Sequence, residues 1–145
     1  MRYKKARNKD LSKCTTLELM DEIKARVRLT GLHGPKTMIA EVIKVVSEIT
    51  EVTVPQIMCG SRRHRHVVAR ALTAHFLYDY LELSLEECAK AVGRNCHTSA
   101  LYLRNLTRAA IANNEKPQYE YFQLILIRLI EEGILVSKDS GKRYG

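Results

Sequence analysis

Apolar residues recur along this chain at helical spacing almost throughout. Over 15–30, Leu19, Ile23 and Val27 repeat every four residues with Met20 beside them, behind a Thr15/Glu18 pair spaced as a capping box. Gly31, Gly34 and Pro35 then break the chain. Over 36–50, Ile39, Val42, Ile43, Val46 and Ile49 fall on one stripe. Thr53 and Gln56 make a second capping box, with Pro55 in the first turn of a short helix that Gly60 ends. A helix predicted over 67–81 turns Leu72, Phe76, Leu77 and Tyr80 inward. The last helix, 117–133, carries Phe122, Ile125, Leu126, Leu129 and Ile130 on one stripe, and Leu124 and Ile127 widen it. So apolar a helix needs two partners: the domain core, and either the helix at 15–30, a second copy of the chain or another protein. No convincing strand is visible, since the β-branched run Thr50–Val54 is short and flanked by helical patterns.

The stretch 84–112 reads as helix, turn, helix. Ser84 and Glu87 form a capping box, and Leu85, Cys88, Ala89 and Val92 give the first helix a buried face. Gly93-Arg94-Asn95-Cys96 is the turn, with Gly93 placed to take the left-handed conformation that ends a helix. His97-Thr98-Ser99 opens the second helix. Ala100, Leu103 and Leu106 or Thr107 face inward with Leu101 at the edge of their stripe, while Thr98, Ser99, Tyr102 and Asn105 lie opposite. A short helix, a Gly turn and a second helix opening in small polar residues is the arrangement that places a recognition helix in the major groove.

Charge sharpens this picture. The chain has 145 residues and a net charge of +8, 24 Lys+Arg against 16 Asp+Glu, and at 46% apolar it can fill one core. The expected organisation is a basic arm over 1–13 (Arg2, Lys4, Lys5, Arg7, Lys9), one helical domain over 14–136 and a polar tail over 137–145. The densest internal positive cluster is Ser61-Arg62-Arg63-His64-Arg65-His66. Arg70 follows in the predicted first turn of helix 67–81. A cation there opposes the helix dipole, and a phosphate would offset the cost.

Other chemistry is thin. The cysteines at 14, 59, 88 and 96 form no Cys-x-x-Cys pair, which suggests free thiols in a reducing compartment. His64 and His66 have no further ligands at metal-site spacing, so no metal or cofactor is expected. Cys96 and His97 diverge on a helix and do not form a nucleophile pair. No signal peptide is read at the N-terminus, and the longest apolar run, Phe122–Ile130, is interrupted by Gln123 and Arg128 and is too short to cross a bilayer. The expectation is a cytoplasmic, nucleoid-associated protein that is not an enzyme and meets no membrane.

From Ile39 to about Leu106 the chain resembles the C-terminal DNA-binding domain (domain IV) of the bacterial replication initiator DnaA. The resemblance rests on Thr53-Val-Pro-Gln-Ile-Met58, the Arg-rich loop 61–66, Ala69-Arg70, Ser84-Leu-Glu-Glu87 and Gly93-Arg-Asn-Cys-His-Thr-Ser99 with Ala100-Leu101, in that order and spacing. It implies an all-α, compact helical domain, with a DnaA domain IV-like core over 36–112, an added N-terminal helix and an apolar C-terminal helix. It also implies that Arg70 reads the minor groove, that His97, Thr98 and Ser99 read bases or bind phosphate in the major groove, and that Arg62, Arg63 and Arg65 bind backbone. Arg94 and Asn95 of the turn and Tyr102 on the outward helix face complete the candidate DNA-binding set. Cys96 stands where the family has an Asp that reads a base, and a thiol is a poor acceptor from cytosine, so the family's box is not expected to be read in the same way. The initiator's ATPase needs a Gly-x-x-x-x-Gly-Lys-Ser/Thr loop, and the only Gly-Lys here is Gly141-Lys142.

The implied function is sequence-specific binding of double-stranded DNA, regulating replication or transcription. The alternative is a protein-interaction adaptor that keeps the fold, has lost specific reading, and docks as a homodimer or on another protein through helix 117–133. Sequence-neutral RNA binding ranks last, because no aromatic platform for stacked bases is visible.

Overall fold

The computed structural model describes residues 16–30 and 34–137. The basic arm, Cys14, the Thr15 half of the first capping box and positions 138–145 lie outside the described residues. Within them the order is α1 Thr16–Arg26, β1 Val27–Leu29, α2 Pro35–Thr50, α3 Val54–Met58, α4 His64–Asp79, α5 Leu85–Ala91, α6 His97–Ala112, α7 Gln118–Glu131 and β2 Leu135–Ser137. The all-α reading holds, with one small exception.

That exception corrects two expectations. The first helix stops at Arg26 rather than 30, and Val27–Leu29 pairs antiparallel with Leu135–Ser137, Arg28 opposite Val136. Ser137, expected in the tail, belongs to this ribbon. Thr30 extends the tie, its N–H donating to the Ile134 carbonyl at 3.1 Å and its hydroxyl to that of Gly133 at 2.8 Å. Three residues are too few to show a period of two, and the partner strand lies at the far end of the chain, so the local pattern carried no strand signal.

The core is built around α4. Every residue from Val68 to Leu77 is buried, and α2, α3, α5, α6 and α7 all pack on this helix. Ala69, Ala71 and Ala74 let neighbours approach closely, while Leu72, Phe76 and Leu77 fill the centre with Val42, Val46, Ile125 and Leu129. Both phenylalanines are there: Phe76 stacks on Phe122 at 5.4 Å, and Tyr80 and the buried His75 complete the cluster. A second, smaller cluster of Ala71, Ala74, Val92 and Leu103 fixes α6 against α4.

The two predicted capping boxes within the described residues are present. Thr53 and Gln56 cap α3 reciprocally, and Ser84 and Glu87 do the same for α5. Helix α4 starts at His64, three residues before the predicted boundary, because His64, Arg65 and His66 extend it without any apolar signal. Arg70 therefore sits in the second turn, not the first. The N-terminal helix packs on α6 rather than on α7, where Arg108 pairs with Asp21 at 3.2 Å.

Candidate nucleic-acid interface

The turn between α5 and α6 is set by backbone chemistry. Val92 caps α5, Gly93 takes φ +74°, the Gly93 N–H donates to the Lys90 carbonyl and the Arg94 N–H to that of Ala89 at 2.7 Å. This is a Schellman motif, with glycine where a side chain would be strained. A Cβ at Gly93 would also lie 2.1 Å from the Met58 carbonyl oxygen, so the turn is pressed against the end of α3. Loop 59–63 begins there and ends at α4. His64 of α4 and Tyr102 of α6 line one cavity of about 330 Å³. The Arg-rich loop thus starts where α3 meets the turn and ends at the N-terminus of α4.

Two helix N-termini open in this region. Neither α4 nor α6 has an acid in its first turn or a side-chain cap. The dipoles of both helices favour an anion at these ends. At the start of α6, the Cys96 sulfur lies 2.8 Å from the Thr98 hydroxyl. Hydrogen bonding by Thr98, first through its side chain and then its backbone, lowers the pKa of this exposed thiol.

Arg62 and Arg63 are exposed, and no carboxylate pairs with Arg62, Arg63, Arg65 or Arg94 among the described residues. Arg65 is exposed and donates to the Glu51 carbonyl at 3.2 Å, and Arg94 is half-buried. Among the other described arginines, Arg26 holds Glu22, Arg104 holds Asp79, Arg108 holds Asp21, and Arg128 holds Glu48 and Glu132, while Arg28 donates to the Leu29 carbonyl. Positive charge is thus left uncompensated at the loop and the turn.

Residues 39–105 match the family model of the bacterial DnaA protein helix-turn-helix. This stretch is a DnaA-type helix-turn-helix domain. No curated protein matches the chain. The DnaA-type domain is a double-stranded-DNA-binding unit, not a catalytic one. Helices α1 and α7 and the β-ribbon lie outside the matched segment. Among the described residues no helix is long and apolar enough to cross a membrane.

Within the DnaA-type domain the expected site residues divide. His97, Thr98, Tyr102 and Asn95 are exposed and Ser99 is half-buried, all on the turn or the first two turns of α6. Ala100, Leu103 and Thr107 are buried and Leu106 is half-buried. Leu101, expected at the edge of the inward stripe, is 37% exposed and shares the outward face with Thr98, Tyr102 and Asn105 at i, i+3, i+4 and i+7.

Arg70 is the correction. Expected in the minor groove, it is 1% exposed and points into the protein. Its Nε donates to the Ile57 carbonyl at 2.6 Å, Nη1 to Ser61 at 3.1 Å, and Nη2 to Gln56 at 3.2 Å and Cys59 at 2.8 Å. Gln56 and Ile57 are among the carbonyls that a five-residue helix leaves without partners. Arg70 satisfies them and then fixes the loop carbonyls beyond. Burial lowers its pKa and Arg94 adds repulsion, yet a guanidinium stays protonated. Arg70 thus holds the basic loop in shape from behind.

A second structural arginine escaped the sequence reading. Arg104 of α6 reaches Asp79 at the end of α4 and lies 5.3 Å from the Tyr78 ring centre. Asp79 also meets His75 Nδ1 at 2.8 Å. Burial pushes the Asp79 carboxyl up, but hydrogen bonds from His75 and Arg104 outweigh it and hold the group below the usual carboxylate range. Burial pushes His75 down, against the pull of Asp79.

Proposed function

We propose that this protein binds specific double-stranded DNA sites and regulates replication or transcription from them. Helix α6 enters the major groove and presents His97, Thr98, Ser99, Leu101 and Tyr102 to base edges. Arg62, Arg63, Arg65 and Arg94, with the N-termini of α4 and α6, hold phosphates and set the register. Asn95 lies at the mouth of the same helix. Leu101 and the Thr98 methyl suit thymine methyl groups. The observation that carries this reading is the run of arginines without carboxylate partners, Arg62, Arg63, Arg65 and Arg94, next to the exposed start of α6, whereas Arg26, Arg104, Arg108 and Arg128 hold carboxylates. Bound duplexes selected from a random pool should converge on one short site, and a duplex of scrambled order should bind at least about a hundredfold more weakly. Selected sequences that stay random overturn sequence-specific reading.

The adaptor reading is supported by Cys96 in place of the family's acid and by exposed aliphatics on α7. It predicts no retardation of random duplexes even at low salt. The DNA reading predicts retardation that salt suppresses.

A further inference from the structure

Helix α7 buries Phe122, Ile125, Leu126 and Leu129 against the core. It also carries a second apolar stripe: Leu124 and Ile127 are each 51% exposed and Ile130 is 43% exposed. Among the described residues the other large exposed apolar side chains sit on α3 (Val54, Met58) and α6 (Leu101, Tyr102), which flank the interface described above. The α7 stripe belongs to an element outside the DnaA-type segment, so DNA reading by that segment does not account for it. No described element covers it, since α1 packs on α6 instead. The helix is held firmly, with Arg128 bridging Glu48 and Glu132.

We propose that the stripe joins two copies of this chain, with their α7 helices antiparallel about Ile127. A two-fold interface must be complementary to itself, and this pattern is. With Ile127 on Ile127 of the second copy, Leu124 meets Ile130 twice, and Gln123 meets Glu131 twice. Gln123 and Glu131 are both exposed, and an amide N–H donating to a carboxylate is a favourable pair. No like charges oppose one another in this register. The helix carries Glu120 and Glu131 against Arg128 alone, so the face lacks the positive charge that holds copies of a +8 chain apart. One helix pair buries less than the roughly 800 Å² per partner of a stable complex, so association falls in about the micromolar range.

Sedimentation equilibrium of the whole chain tests this. The wild type should reach a dimer, and Ile127→Glu should remain a monomer. Gln123→Glu sets carboxylates opposite Glu131 and should weaken pairing at least about tenfold, and adding Glu131→Lys to it should restore pairing. All three positions are exposed, so helical circular dichroism should be unchanged, and affinity for a single short duplex should stay within about twofold. A wild type that stays monomeric to about 500 μM, or an Ile127→Glu variant that pairs like it, overturns the proposal. Failure of the double variant to recover overturns the antiparallel register.

Discussion

Arg104 grips Asp79 across the junction of α6 and α4, its Nε 3.2 and 3.1 Å from the two carboxylate oxygens and its Nη2 2.9 Å from one of them. An acid at a helix C-terminus opposes the dipole, so Asp79 is tolerable there only with its cationic and histidine partners. The pair sets the angle at which the second helix of the DnaA-type domain leaves the core. His75 shares Asp79 and lies wholly inside the aromatic cluster.

Acid should therefore loosen the fold. His75 has its pKa lowered by burial, so the unfolded chain binds the extra proton below about pH 6.5. Its contribution is complete above that value and is lost as pH falls. Asp79, also held low, adds a second loss that begins below about pH 4. The melting temperature should drop between pH 7 and 5. In His75→Gln the baseline stability is lower but that part of the slope should flatten. An unchanged slope in thermal melts would assign the acid sensitivity to other groups.

Replacing Arg70 should act through the loop. Arg70→Met strands the carbonyls of Ile57, Cys59 and Ser61, while that of Gln56 keeps the Cys59 thiol, and should cost about 2–4 kcal/mol in denaturant unfolding. Arg70→Lys, with a compact ammonium, should recover only part of this. Because the side chain is buried, affinity for selected and random duplexes should fall together in both variants. A selective loss on the selected duplex, at unchanged stability, would instead indicate a side chain that reads bases.

Most helices, both surviving capping boxes and the helix-turn-helix were legible because each is a local signal: an apolar period, a polar pair three residues apart, a glycine after a stripe. What stayed hidden depends on distance through space. Arg70 looked like a surface cation because nothing in its sequence neighbourhood shows that the carbonyl ends of a five-residue helix lie against it. Arg104 and Asp79 are 25 residues apart and gave no pattern at all. The β-ribbon joins strands from opposite ends of the chain. Leu101, read at the edge of the inward stripe, is 37% exposed, and an i, i+3 period alone does not say where burial stops.

Gly93→Ala should be costly in two ways. The residue is in the left-handed region, and the added carbon would meet the Met58 carbonyl oxygen, which is backbone and cannot swing aside. A loss of about 2–4 kcal/mol is expected, above the strain of a positive φ alone. Urea unfolding measures it. A loss under about 1 kcal/mol would mean that the turn and α3 separate easily.

Salt dependence separates phosphate contacts from base contacts. Each of Arg62→Ala and Arg63→Ala should weaken selected and random duplexes alike and make the slope of log K against log salt shallower by about 1. Thr98→Ala should keep the wild-type slope while narrowing the gap between selected and random duplexes. Slopes unaffected by either arginine would remove the loop from the DNA contact surface.

Cysteine chemistry offers a footprint of the same face. Cys96 is exposed at the start of α6, and the Thr98 hydroxyl stabilises its thiolate, so iodoacetamide should modify it readily. Cys88 is buried in the core, and burial pushes its thiol up to about 11, so it should stay unmodified until the protein unfolds. If α6 enters the major groove by its N-terminus, a saturating selected duplex should slow Cys96 alkylation at least about tenfold, followed by peptide mass spectrometry, because the groove excludes reagent from the helix mouth. A random duplex at the same occupancy should protect less, since non-specific contact to phosphates leaves the mouth of α6 above the groove. Cys96 modified at the same rate with and without bound duplex would place the DNA elsewhere on the protein.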